Sequence, residues 1–484
     1  MPSDSWYSLP VWLQHHRTDQ DLSAEPLLEL SNVKTEAFVH ATRVRKMLNS
    51  LLPTSLRPIF TKSEPRKLHE TSYLDGLRGI AALIVVFHHT TGFFYPAIRP
   101  GYGSSETSAN LLLSLPLIRI WMSGGPMVAI FFVLSGYVLS TKPLRLARQG
   151  QHREAHDCIA SSTFRRGPRL YIPCLTATLI IALLAQMGLT DLQAPRVYRP
   201  SETLMQQLKA WAISSSWFIS PFGGAHAFEE NTWTIPTEFK GSLLVFLTTL
   251  GTAKSGSRFR LLFLTGLALF WLYHGWADMF LFSAGMFCAD VHFLHTPLPQ
   301  SKTLSDILPE SSILLSPTIS EDDIELPGSR RPRDEGATTS PGYITLATTL
   351  TPATWMSHFG PSRWWATLGA TLLILSIDSA GPQSIYQRLL SSRFPQWLGE
   401  ISFSLYLAHG VVLFSLGSRA LRFFCGLLEI DMSRGAAGEE RLWYAVALLG
   451  MSAVTAPVLF GISEVMTKTL DKKAVDIARW MSRW

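Results

Sequence analysis

Charge is what this sequence has least of. Only 16% of its 484 residues are charged, against about a quarter in an average soluble chain. The 42 Lys and Arg and 36 Asp and Glu are also unevenly spread. Roughly half of them fall in residues 1–70, 141–169 and 293–342, which leaves long uncharged runs elsewhere. That distribution excludes a soluble globular enzyme and a disordered protein alike. Cysteine is scarce too: Cys158, Cys174, Cys288 and Cys425 stand far apart, with no CxxC pair and no zinc-ligand spacing. Three of the four lie in or beside apolar runs and read as small buried hydrophobes. A formal net charge of +6 comes without a compact Lys/Arg stripe interleaved with aromatics, so a nucleic-acid partner is excluded. The first residues lack a basic stretch followed by an apolar one, so no cleaved signal peptide is expected. No internal repeat is found.

What is there is apolar: 47% hydrophobic residues and a mean hydropathy of +0.18. Charge-free stretches lie at 79–98, 120–141, 170–190, 261–277, 401–418 and 442–463. Shorter, individually weaker candidate spans lie near 209–222, 238–253, 279–289 and 364–377. A span needs about 20 apolar residues, and in lipid every backbone polar group must be satisfied within the segment. The expectation is an all-α integral membrane protein, a polytopic bundle of about ten transmembrane helices.

Basic residues near span ends set the orientation. Arg57, Lys62, Arg66 and Lys67 precede the first span, and Lys142, Arg145, Arg148, Arg153, Arg165, Arg166 and Arg169 follow the second. Two spans separate the clusters, so both belong on one side, the cytosol. The C-terminal stretch 471–484, which ends in the tail 476–484, is basic too and favours an even number of spans. Between spans four and eight the bias assigns no side. Residues 1–70 are expected to be a partly disordered cytosolic segment. Within it, 36–52 repeats apolar residues at helical spacing opposite Arg43, Arg45 and Lys46. That pattern fits a helix on the cytosolic leaflet and a helix packed on the domain equally well. The Ser-, Pro- and acid-rich stretch 300–342 is expected to be a disordered loop.

The first span, YLDGLRGIAALIVVFHHTTGFF, carries Arg78 and two histidines in or near hydrocarbon. Ionisable groups there are expensive and point to function. His89 follows Arg78 by eleven positions, within roughly 20° of the same helix face, whereas His88 points about 80° away. The rise between Arg78 and His89 is about 16 Å. They cannot touch and would act at opposite ends of one elongated ligand. The alternative is a snorkelling Arg78 and a histidine satisfied by a neighbouring helix.

YLDGLRGIAALIVVFHH closely resembles the first helix of the acyltransferase family 3 membrane proteins, which carries an Arg, ten residues, then a His. Further landmarks resemble that family in order: GGPMVAIFFVLSGYVLS at 124–140, FRRGPRLYIP at 164–173 and NTWTIPTEFKGSLLVF at 231–246. LFSAGMFCAD at 281–290 and WLGEISFSLYLAHGVVLF at 397–414 complete the set. The resemblance covers residues 71–475 apart from the 300–342 loop. It implies transfer of an acyl group, usually acetyl, from acyl-CoA to a hydroxyl. It places Arg78 and His89 at the essential pair, Arg165, Arg166 and Arg169 at the basic motif, Glu238 at the acid and His409 at the late histidine. The tandem His88–His89 leaves room for either histidine to be the essential one.

The residue types suit that chemistry. Coenzyme A carries phosphates at one end and a thioester at the end of a long arm, and arginines hold phosphate with forked, permanently charged donors. His89 suits a general base on the acceptor hydroxyl, because an unperturbed imidazole titrates at about 6.5. Glu238 either supports His89 or pairs with Lys240 or another arginine. Ser402, Tyr406 and His409 share a helix face that either lines an acceptor site or forms an interhelical hydrogen-bond seam. Trp233, in the same motif as Glu238, is a further substrate-binding candidate. No metal site is expected among the histidines. No permanently bound cofactor is expected either; acyl-CoA, as acetyl-CoA, is the co-substrate. The partners are the lipid bilayer, acyl-CoA and a small hydroxylated acceptor, with no protein partner implied. The setting is an endomembrane such as the endoplasmic reticulum, with the N-terminus cytosolic. The acceptor implied by the fungal form of the motifs is a small molecule such as a terpenoid or polyketide secondary metabolite. The rival readings are a membrane transporter using intramembrane Arg and His, and O-acetylation of a polysaccharide.

Overall fold

Apolar runs of this length have one hydrogen-bonding solution in a bilayer, and the chain takes it. The structure, a computed structural model, describes residues 68–98, 102, 112–190, 199–220, 222–295, 345–346, 349–352, 355, 360–432 and 440–481. The helix expected at 36–52 and the loop expected at 300–342 lie outside the described residues. Each charge-poor stretch falls on a helix. These are α1 (Ser72–Phe94), α2 (Gly124–Arg148), α3 (His152–Gln186), α4 (Leu204–Ile219), α5 (Thr234–Thr252), α6 (Ser257–Tyr273), α7 (Ala277–His295) and α8 (Gly360–Ser379). A short α9 (Ile385–Leu390) leads to α10 (Arg393–Val412), α11 (Ser418–Leu427), α12 (Arg441–Met466) and α13 (Lys472–Met481). No strand occurs among the described residues.

Among the described residues, six helices are long and apolar enough to cross a membrane: α1, α2, α3, α7, α10 continued by α11, and α12 continued by α13. The expected count of about ten also needs α4, α5, α6 and α8, which fall short on length or polarity. The first and third have 16 and 17 residues, while α5 carries Glu238 and Lys240. On α12 only 22% of the most apolar window is buried, and Leu442, Leu449 and Val465 are exposed, the pattern of a lipid-facing helix.

The core is built where small residues let backbones approach, since lipid offers no hydrophobic drive between helices. Helix α1 runs along α10 and α2, and α2 along α7. A Cβ on Gly79 would lie 2.3 Å from the Gly399 nitrogen, and one on Gly399 2.4 Å from the Asp75 carbonyl oxygen. The α2–α7 contact repeats the device: Cβ atoms on Gly136 and Gly285 would each meet a carbonyl oxygen at 2.1 Å. A buried ionic knot ties three helices together. Asp290 of α7 accepts two bonds from Arg260 of α6, at 2.7 and 2.8 Å, and holds Arg148 of α2 at 2.8 Å. Two π-helical turns interrupt the regular ladder, Leu413–Gly417 between α10 and α11 and Thr467–Asp471 between α12 and α13. Such turns frequently sit at functional sites.

Candidate active site

Because α1 is unbroken from Ser72 to Phe94, the rise of about 16 Å between Arg78 and His89 holds, and the helix carries one residue into each of two polar clusters. At the first, Arg78 is buried. It donates to the Gly399 carbonyl at 3.0 Å and to Ser402 Oγ at 3.2 Å, and pairs with Asp75 at 2.9 Å. From α3, buried Arg166 donates to Glu238 Oε1 at 2.5 Å and to Ser242 Oγ at 2.7 Å. Glu238 Oε2 also accepts from Ser135 at 3.3 Å. Of the partnerships open to Glu238, the structure therefore forms the one with an arginine. Arg169, a turn further along α3, has its Nε and Nη2 buried with no hydrogen-bond partner among the described residues. It lies in the field of Arg78, Arg165 and Arg166 and of Asp471 in the second π turn. Arg165 is half-buried, with its Nε on the Ser161 carbonyl of its own helix.

At the second cluster, buried His89 faces His409 with ring centroids 5.0 Å apart and stacks on Phe93 at 5.6 Å. His88 is turned elsewhere: its Nδ1–H donates to the Met122 carbonyl at 2.8 Å. His409 donates from Nδ1 to the Tyr406 carbonyl, and its Nε2 accepts from the Asn231 amide at 3.3 Å. These bonds fix the neutral Nδ1–H tautomer. Asn231 Nδ2 donates its other hydrogen to Glu229 Oε1 at 2.7 Å. Tyr406 is buried beside His409, its ring centroid at 5.4 Å. Trp233 closes the short 3₁₀ turn Glu230–Trp233 that leads into α5, its indole Nε1 buried.

The segment before α5 is held by its own bonds. The His226 nitrogen donates to Thr232 Oγ1 at 2.8 Å, and its ring joins Ser215 of α4 at 3.0 Å. Burial pushes the His226 imidazole down to about 4, so it is neutral at physiological pH. Burial pushes the Glu229 carboxyl the other way, up to about 7, against the bonds from Asn231 that favour its ionised form. Among the described residues no three His, Cys, Asp or Glu gather closely enough to hold a metal ion.

The first-span signature and the ordered landmarks match a known family. The sequence profile of the acyltransferase domain family matches residues 71–462. The chain belongs to this family. Among its relatives, the O-acetyltransferase PaAT-1 of Phomopsis amygdali is 30% identical over 88% of this chain and 87% of its own length. The acyltransferase clz18 of Cochliobolus lunatus is 25% identical over 74% of this chain and 85% of its own length. The acyltransferase R4 of a Phoma species is 24% identical over 82% and 94%. No solved structure matches. The chain is thus a multi-pass membrane protein of an acyltransferase family.

Within this acyltransferase fold, sequence reading singled out the landmarks and missed what surrounds them. Glu229 and Asn231 stand directly before Trp233, and Asp471 stands behind the last span. The one available signal was Gly410 immediately after His409. A Cβ there would lie 2.6 Å from Glu229 Oε2, so the glycine leaves room for the carboxylate.

Proposed function

We propose that the protein is an acyl-CoA-dependent O-acyltransferase that moves an acetyl or other short acyl group to a hydroxyl of a small molecule, such as a terpenoid or polyketide secondary metabolite. The observation that carries this reading is the reach of α1, with Arg78 in a cluster of four arginines and His89 against His409 about 16 Å away. That span suits a ligand with phosphates at one end and a reactive group on a long arm. The buried, unpartnered guanidinium nitrogens of Arg169 fit an anionic group, because a desolvated N–H without an acceptor is strongly unfavourable. Arg78, Arg165 and Arg166 supply the surrounding positive field.

In this reading His89 draws the proton from the acceptor hydroxyl as its oxygen attacks the thioester carbonyl. A C–O bond forms, the C–S bond breaks, and the proton passes to the departing thiolate. A base placed this way contributes roughly 10²–10⁴-fold. His409, its Nε2 engaged by Asn231, orients and shields His89, and Tyr406 packs beside His409. Glu238 acts through Arg166. The arginine end faces the cytosol, where acyl-CoA is found, in an endomembrane such as the endoplasmic reticulum.

Purified protein given radiolabelled acetyl-CoA and extract of its native host tests this. Label should move to an extractable product with release of CoA. His89→Ala should lower transfer by about a hundredfold or more, and His88→Ala by only a few-fold. No transfer by the wild-type chain would refute the reading, and a greater loss for His88→Ala would move the base to His88.

A further inference from the structure

Past the two imidazoles the bundle opens into a pocket. Phe93, Ile181 and Phe414 give it apolar walls, and Glu229, Asn231 and Ser415 are among its polar groups. Two contacts join it to the imidazoles: Phe93 stacks on His89, and Asn231 donates to His409. Phe414 and Ser415 belong to the π turn Leu413–Gly417, and Phe414 packs edge-on against Phe93 at 4.6 Å. Two helices independently give its position relative to the arginines. Phe93 follows Arg78 by fifteen residues on α1, and Ile181 follows Arg166 by fifteen on α3. Each interval is about 22 Å of rise, so the pocket lies about four helical turns from the arginine cluster along both helices.

The geometry points to this pocket as the acceptor site, built for a neutral apolar alcohol whose hydroxyl is presented between Phe93 and Asn231. The inference rests on the acyltransferase reading and adds to it the acceptor's place and chemistry. Apolar walls bury an apolar body, and the few polar groups among them orient it. The carboxylate of Glu229, with Oε1 engaged by Asn231, offers Oε2 as an acceptor for a hydroxyl. Among the described residues that line the pocket there is no Lys, Arg or His, whereas Glu229 and Glu230 are there. An anionic acceptor would therefore be desolvated beside acidic side chains, which selects against it.

Photolabelling of the full-length protein in nanodiscs tests the assignment with two probes of one shape. These are 4-(hydroxymethyl)benzophenone, a neutral apolar alcohol, and 4-benzoylbenzoate, its carboxylate counterpart. The alcohol should label residues around Phe93 and Val411–Ser415, about tenfold above the carboxylate. Glu229→Gln should close most of that gap, and Ser415→Trp should lower the alcohol's labelling about tenfold while acetyl-CoA binding is kept. Labelling by the alcohol only at other surfaces would overturn the assignment, as would equal labelling by both probes in the wild-type chain. Should Ser415→Trp fail to fold, the wild-type map and Glu229→Gln decide alone. Labelling as expected in a chain that transfers no acetyl group would sink the acyltransferase reading and leave the pocket as a binding site. Transfer without labelling would do the reverse.

Discussion

Arg166 and Arg169 stand one helical turn apart and face opposite situations. Arg166 uses its Nε and Nη2 inside the protein, on Ser242 and Glu238, so its removal strands a buried carboxylate. Arg166→Ala should destabilise the chain by about 3–5 kcal/mol, read as lost thermal stability in detergent. Arg169 directs two buried donors at no protein acceptor among the described residues. Arg169→Ala should instead raise the KM for acetyl-CoA about ten- to hundredfold at nearly unchanged thermal stability, the range of one charge-assisted hydrogen bond. Unchanged KM with lost stability would return Arg169 to a structural role. Glu229, lying between helices, supplies a pH dependence. Burial raises its folded-state pKa from 4.5 to about 7. Between these values the folded chain holds a proton that the unfolded chain has released, so stability falls as pH rises through that window. Relative to Glu229→Gln, the wild-type chain should lose up to about 3 kcal/mol between pH 4.5 and 7. Thermal midpoints at pH 5 and 8 measure it, and parallel profiles for the two proteins would refute it.

The α1–α10 pair is the element on which both clusters depend, because Arg78 and His89 stand on one helix and Ser402 and His409 on the other. Contact this close requires Gly79 and Gly399, each with backbone where a Cβ would go, while Gly76 leaves the same room for the Leu390 carbonyl at the end of α9. Gly399→Ala would set a Cβ 2.4 Å from the Asp75 carbonyl oxygen, so the two backbones must move apart, at a cost of about 3 kcal/mol. It should also reduce acyl transfer beyond what the stability loss explains, since the Gly399 carbonyl accepts from Arg78. Activity per folded molecule, set beside the thermal midpoint, separates the two effects. The π turns work at the same scale: one carries Asp471 toward the arginines, and the other carries Phe414 and Ser415 to the pocket.

Over the whole molecule the polar interior is divided. The arginines, the imidazoles and the pocket follow one another along α1 and α3, while the Arg148–Asp290–Arg260 knot binds α2, α6 and α7 apart from that line. Asp290→Ala leaves two arginines without their shared partner and should cost about 3–5 kcal/mol. The protein that still folds should bind acetyl-CoA normally. Reduced affinity in that fraction would show that the knot also shapes the site.

The class of the protein, its helices and the reach of α1 were legible in the sequence for one reason. Hydrophobic run length and helical periodicity belong to contiguous residues, so a charge-free stretch, or an Arg and His eleven positions apart, carries its own geometry. Which polar groups meet was not legible. Glu238 finds Arg166 across 72 positions and Asn231 finds His409 across 178. Such pairings depend on where helices cross, and no local pattern records a crossing. The sequence alone made the chain a helical membrane protein with Arg78 and His89 on one face. Only the tertiary structure turned Glu238 toward an arginine, set Glu229 and Asn231 behind His409, and opened a pocket beyond them, because burial and charge pairing are properties of helices in contact.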